Sequence, residues 1–267
     1  MVDAETIAFA HRLADAAGAV IRPHFRQRIE ITDKGAAKGS IFDPVTEADK
    51  GAEKALRAII ERERPDEGIL GEEFGEKPGS SARRWVLDPV DGTRAFINGR
   101  HEWGSLIALE ENERPVLGII DQPVIGERFI GANGAASFHA SGSITPLRVR
   151  ECARIEDAIL CATHPYAYFS ADERTAFGRV SDAVRMSRFG GDCYLFGLLA
   201  MGFIDLIVES AFHRWDVAAL IPVVEGAGGI ITNWQGGDCR EGGQTVAAGD
   251  ARVHAAALRL LAGCRAI

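Results

Sequence analysis

The sequence predicts an α+β half followed by an α/β half. Three observations carry this expectation. Apolar residues recur at helical spacing in two N-terminal segments. Short strand-like runs joined by tight turns come next. Past a small polar tract, strand and helix patterns then alternate.

Residues 4–22 place Ile7, Ala10, Leu13, Ala17, Val20 and Ile21 on one helical face, with an end near Pro23. Residues 47–64 repeat the pattern with Ala52, Leu56, Ile59 and Ile60, and stop before Pro65. Strands are expected at Trp85–Leu87, Ser105–Leu109, Val116–Ile120, Glu127–Ile130 and Ala136–Phe138, with "ENER" and "GANG" as hairpin turns. The tract "HASGSITP" reads as the boundary, giving halves 1–140 and 141–267. Beyond it, strands are expected at Ile159–Thr163, Arg185–Phe189, Ile204–Val208, Ile230–Thr232 and Val246–Ala248. The helices between them are Asp172–Val184, Cys193–Met201, Val217–Glu225 and Arg252–Ala262.

Composition narrows the function. A chain of 267 residues can bury a substantial core. Its formal charge of −8 argues against a general nucleic-acid binder. An acidic cleft can gather metal cations, and charge of this sign equally serves solubility alone. No apolar run approaches the roughly 18 residues of a membrane span, and the acidic N-terminus lacks the apolar stretch of a secretory signal. Five scattered cysteines without a CxxC pair read as reduced thiols of a cytoplasmic protein.

The chemistry gathers around "LDPVDGT". Asp88 falls where a strand is expected to end, because Pro89 cannot continue an interior ladder. Asp88, the Val90 carbonyl and Asp91 together suit a hard cation such as Mg2+. The amides of Gly92 and Thr93, at a turn entering a helix, suit an anion such as phosphate. Asp91 also reads as a helix N-cap. Three other stretches bear on this choice. "GEE" sets Glu72 and Glu73 on a loop, where adjacent acids are commonly just solvated. "FHRWDVAALIPVVEGAGG" places Asp216 at a helix start, where it too suits an N-cap. Thr46 and Asp49 have capping-box spacing.

Taken together, "GEE", "LDPVDGT" and "WDVAALIPVVEGAGG" resemble the signatures of the inositol monophosphatase superfamily along essentially the whole chain. The resemblance implies a layered αβαβα sandwich of the inositol monophosphatase and sugar phosphatase type, and a Mg2+-dependent, Li+-sensitive phosphatase. It implies that Glu72, Asp88, the Val90 carbonyl, Asp91 and Asp216 hold two to three Mg2+ ions. Glu72 and Asp88 would serve the ion that activates water. Asp88, Asp91 and Asp216 would serve the ion near the leaving group. Thr93 would bond the attacking water, with Asp49 as its partner. A homodimer is also implied.

Two further stretches, "DGTRAFINGRHEWGSLIAL" and "RFGGDCYLFGLLAMGFIDLIVES", resemble the histidinol-phosphatase branch. That implies hydrolysis of L-histidinol phosphate in histidine biosynthesis, with inositol-1-phosphate or other sugar phosphates as the alternative substrates. A phosphatase of 3'-phosphoadenosine compounds and a non-catalytic Mg2+-binding regulator are the remaining alternatives. Asp192 and Glu209 match leaving-group contacts, although Asp192 also reads as an N-cap. Arg94 suits either phosphate or a salt bridge. His101, His164 and His213 are expected as surface or satisfied polar residues rather than in a metal or acid-base role, and Trp103, Tyr194 and Phe212 either in the core or along the pocket.

Overall fold

The structure is a computed structural model that describes residues 1–35 and 44–264. Five layers stack as αβαβα. The outer helical layer is α1 (Ala4–Ile21) and α2 (Glu47–Glu63), capped by Asp3 and by a Thr46–Asp49 capping box. A small ladder of β1 (Thr32–Asp33) and β2 (Pro44–Val45) lies between them in sequence.

The first sheet has eight strands: β3 (Gly68–Gly71), β4 (Gly75–Lys77), β5 (Arg83–Asp91), β6 (Gly104–Glu111), β7 (Arg114–Gln122), β8 (Glu127–Ala132), β9 (Ala135–Ala140) and β10 (Ser143–Pro146). They follow the order β10-β9-β8-β7-β6-β5-β3-β4, all antiparallel neighbours except the parallel pair β3–β5. Asn112–Glu113 and Asn133–Gly134 take positive φ in the two expected hairpins, the geometry that matches strand twist. The tract read as a boundary behaves the same way. Ser141–Gly142 has positive φ and β10 pairs back on β9, so residues 141–146 belong to the first sheet. Two strands before "LDPVDGT", β3 and β4, were not expected. Their glycine-rich wording hides the alternation that marks a strand.

The second sheet has the order β12-β11-β13-β15-β14, from β11 (Ile159–Ala162), β12 (Met186–Phe189), β13 (Leu206–Phe212), β14 (Ile230–Thr232) and β15 (Gly243–Ala248). Between the sheets lie α6 (Tyr194–Ala200) and α8 (Leu220–Gly226). On the far side lie α5 (Ala171–Ala183) and α9 (Ala251–Leu261). Three short helices, α3 (Thr93–Ile97), α4 (Pro165–Tyr168) and α7 (Arg214–Val217), border the site described below. The helix expected over 217–225 is broken into α7 and α8. Pro222 has no N–H to offer the carbonyl of Ala218, and the chain loosens there.

Side-chain alternation fixes the layers. Trp85 and Leu87 join α1 and α2 in one core, whereas Val86 faces α6 and α8. In the second sheet, Leu206 and Val208 face α5 and α9, and Ile207 faces inward. The two sheets therefore share the α6/α8 layer and cannot be separated without exposing it.

Candidate active site

Strand β5 does not end at Pro89. Its pairing with β6 shifts between Asp88↔Leu106 and Asp91↔Gly104, a bulge that absorbs the missing N–H of the proline. Ser105 Oγ donates to the Pro89 carbonyl at 2.7 Å, and the Val90 N–H turns back to Asp88 Oδ1 at 3.1 Å. Asp91 closes the strand and is not the N-cap of α3. That place belongs to Gly92, whose φ of 85° lies in the left-handed region open to glycine. Asp91 Oδ2 instead accepts the N–H of Cys193 at 2.7 Å.

Glu72 comes from the parallel register of β3 on β5. Gly71 pairs with Leu87, so the next residue lies beside Asp88, and its N–H donates to the Leu87 carbonyl at 3.2 Å. Asp49 keeps its capping box and also receives the Thr93 hydroxyl at 3.3 Å through Oδ1. The same hydroxyl lies 3.1 Å from the Val90 carbonyl. Asp216 arrives from the other half. It is the third residue of α7, where the His213 N–H donates to its Oδ2 at 2.6 Å; His213 is the N-cap.

Oxygens of Asp88, Asp91 and Asp216 lie within 4.8 Å of one another. They open on a cavity of about 550 Å3, lined also by Lys34, Glu72, the "VDGT" turn, Arg94, Tyr168, His213 and Trp215. Burial drives the Asp88 carboxyl well above its usual range, and the charges of Glu72, Asp91 and Asp216 push the same way. Burial likewise lifts Asp91 to about 7, with Asp216 adding to it. Glu72 reaches about 7 for the same first reason, although Lys34 pulls it back. Lys34 Nζ donates to Glu72 Oε1 at 2.7 Å and to Glu73 Oε1 at 2.9 Å. Hard carboxylate and carbonyl donors converging without enough counter-charge fit a divalent cation. Glu72, Asp88, the Val90 carbonyl, Asp91 and Asp216 are the groups able to hold it; Glu73 does not line the cavity.

A smaller hollow of about 90 Å3 shares Asp91, Tyr168 and Asp216 with that cavity and adds Thr163, Asp192, Glu209, Ser210 and Phe212. Glu209 is buried on β13, and its Oε1 accepts the Thr163 N–H at 2.6 Å and the Thr163 hydroxyl at 2.8 Å. Burial raises its carboxyl to about 8. Asp192 is not an N-cap. Cys193 precedes α6 without any side-chain capping bond, and Asp192 takes a left-handed φ of 42°. Burial first, then Asp91 and Glu209, push Asp192 well above the ordinary range. The Arg94 guanidinium lies 4.7 Å from the Tyr168 ring centre.

The other aromatic and histidine candidates separate. Trp103 is fully buried against Phe25 and Phe96, and is core. Tyr194 donates to Glu127, away from the hollow; Phe212 lines it. His213 is at the cavity mouth, stacked on Trp215 at 4.8 Å, whereas His164 caps α4 and His101 packs on Phe25. Lys34, Thr163 and Tyr168 were not foreseen. None stands in a stretch whose spacing sets it apart.

Comparison with known proteins agrees with this geometry. The Inositol monophosphatase family pattern matches residues 3–266. The bifunctional phosphatase IMPL2, chloroplastic, of Arabidopsis thaliana is 42% identical over 95% of this chain and 74% of its own. The histidinol-phosphatase of Chlorobaculum parvum is 35% identical over 85% of each chain. The solved structure of an inositol monophosphatase from Zymomonas mobilis superposes with a TM-score of 0.85 at 43% identity, covering 97% of this chain and 99% of that one. The chain belongs to the inositol monophosphatase family, a family of phosphatases.

Proposed function

We propose that this member of the family hydrolyses small phosphate monoesters with Mg2+, and that L-histidinol phosphate is its preferred substrate. The observation that carries the reading is the meeting of Glu72, Asp88, Asp91 and Asp216, from three separate elements, beside a second acidic hollow. The histidinol-phosphatase relative supports the substrate. The Zymomonas mobilis structure favours inositol-1-phosphate as the second reading.

Glu72 and Asp88 would hold one ion, and Asp88, Asp91 and Asp216 a second. Bound Mg2+ would neutralise the phosphoryl oxygens, lower the pKa of water beside them and steady the departing alkoxide. The chain supplies position. The Thr93 hydroxyl donates to Asp49 and so offers its lone pair to the attacking water. Burial raises the Asp49 carboxyl above its usual range, so its ionised form is a stronger base and would accept the proton that passes through Thr93. The Gly92 and Thr93 amides would face the phosphoryl group, and Arg94 stands at the same cavity. Water's oxygen bonds to phosphorus as the ester oxygen leaves and takes a proton. The products are alcohol and inorganic phosphate.

Asp192 and Glu209 would take the leaving group. The ammonium and imidazole of histidinol can donate charge-assisted bonds to both carboxylates. We place the protein in the cytoplasm, which its five free thiols support, and among the described residues no helix is long and apolar enough to cross a membrane. We propose a homodimer as well, supported by edge strand β12, which leaves Met186 and Phe189 exposed.

The test is phosphate release from L-histidinol phosphate and inositol-1-phosphate side by side, with Mg2+ and with a chelator. Preference for histidinol phosphate, lost in Glu209→Gln by about 10- to 100-fold in kcat/KM, is the expected result, the scale of one bond to a charged group. Preference for inositol-1-phosphate selects the second reading. Mg2+ binding without any release points to the regulatory alternative.

A further inference from the structure

We infer that Glu53 is a positioning residue for the Glu72 metal ligand, acting through the backbone of the turn that carries it; the inference rests on the phosphatase reading above. Glu53 is fully buried on α2, one helical turn beyond Asp49. A buried carboxylate needs partners, and this one finds them in the "GEEFG" turn. Its Oε2 accepts the Glu73 N–H at 2.7 Å, and its Oε1 accepts the Phe74 N–H at 3.2 Å. Arg57, a further turn along α2, donates Nε to Oε1 at 2.7 Å and Nη2 to the Gly75 carbonyl. One carboxylate and one guanidinium thus hold three successive backbone positions of the turn.

The other side of the turn is held by the sheet. The Glu72 N–H is bonded to the Leu87 carbonyl of β5, next to Asp88. Glu72 is therefore clamped between a strand and a buried side chain, and its carboxylate is aimed before any cation arrives. The fit is tight at Gly71. A Cβ there would lie 2.0 Å from Glu53 Oε1 and 2.8 Å from Oε2, so the carboxylate lies against the glycine face. α2 consequently serves both catalytic turns from one face: Asp49 reaches the "DGT" turn and Glu53 the "GEE" turn.

Outer partners of metal ligands commonly affect affinity by about 10- to 100-fold. Glu53→Gln keeps the volume but replaces one acceptor with a donor facing an N–H. The expected result is a rise of about 10- to 100-fold in the Mg2+ Kd, read by calorimetry and by Mn2+ resonance. Substrate KM at saturating Mg2+ should change little. Arg57→Gln, nearer the surface, should move the metal isotherm the same way by less. A purely structural role would lower Tm equally with and without Mg2+ and leave the Kd within twofold of wild type in both variants, which overturns the inference. If Glu53→Gln does not fold, the Arg57→Gln isotherm decides. Wild-type protein that binds no Mg2+ would refute the phosphatase reading itself, a separate outcome.

Discussion

The proposed metal floor and the proposed leaving-group hollow both bury carboxylates, but they satisfy them differently. Glu209 accepts two bonds from Thr163, and directional donors fill one of its oxygens. Among the described residues Asp88 accepts only the Val90 N–H, with Glu72, Asp91, Asp216 and Asp49 all close enough to raise it. A carboxylate already bonded in a fixed direction suits recognition of a polar group. A carboxylate left short of donors among its own kind suits a cation. The contrast separates the two roles within one acidic patch.

The largest effect belongs to the floor. Asp88→Asn should cut phosphate release at saturating Mg2+ by at least about 10^3-fold, the scale of removing a group that acts on the reacting charge. Circular dichroism and the Tm of the metal-free protein should show the fold intact. A fully active variant would remove Asp88 from the metal set.

Next is the pH dependence of the metal-free protein. Glu72 and Asp91 are raised to about 7 from ordinary values of 4.5 and 3.8. The folded chain therefore holds protons that the unfolded chain has released. Their contribution is complete below about pH 4 and is lost as pH rises through about 7, on the order of a few kcal/mol in all. Tm in chelator should fall between about pH 5 and pH 8. Saturating Mg2+ should flatten that slope and raise Tm, by roughly 2.7 kcal/mol of stability at a hundredfold excess over Kd. A flat chelator profile with no response to Mg2+ would contradict the floor as drawn.

The smallest effect concerns Lys34, whose side chain is about a quarter exposed and bridges Glu72 and Glu73. It is a partial counter-ion in the absence of a metal. Lys34→Gln should lower metal-free Tm slightly and tighten Mg2+ binding a few-fold, within the roughly 0–1 kcal/mol of a partly exposed pair. Weakened Mg2+ binding would instead make Lys34 a support of the metal site.

What was legible in the sequence follows from the same physics. "LDPVDGT" was readable because the bulge forces Asp88, Pro89, Val90 and Asp91 to be contiguous. Glu72 was readable only as wording, since the strand that aims it, Gly68–Gly71, has no alternation. Asp192 was misjudged as a possible cap because Gly190, Gly191 and Asp192 all take positive φ, a local path that residue preference does not reveal. The boundary tract misled for a simple reason: Ser-Gly suits a hairpin as well as a linker. Lys34 and Glu53 are ordinary surface residue types, and only the packing of the "GEE" turn gives them partners.

The Asp88–Asp216 pair joins positions 128 residues apart, 216 minus 88, one on β5 of the first sheet and the other on α7 from the second half of the chain. A cation that needs both finds no complete seat in a chain whose second half has not docked. Mg2+ would then act after the rate-limiting barrier of folding rather than before it. Its stabilisation should appear in slower unfolding, with the refolding rate nearly unchanged, and the native protein would persist for longer under proteolysis than its folding speed alone implies.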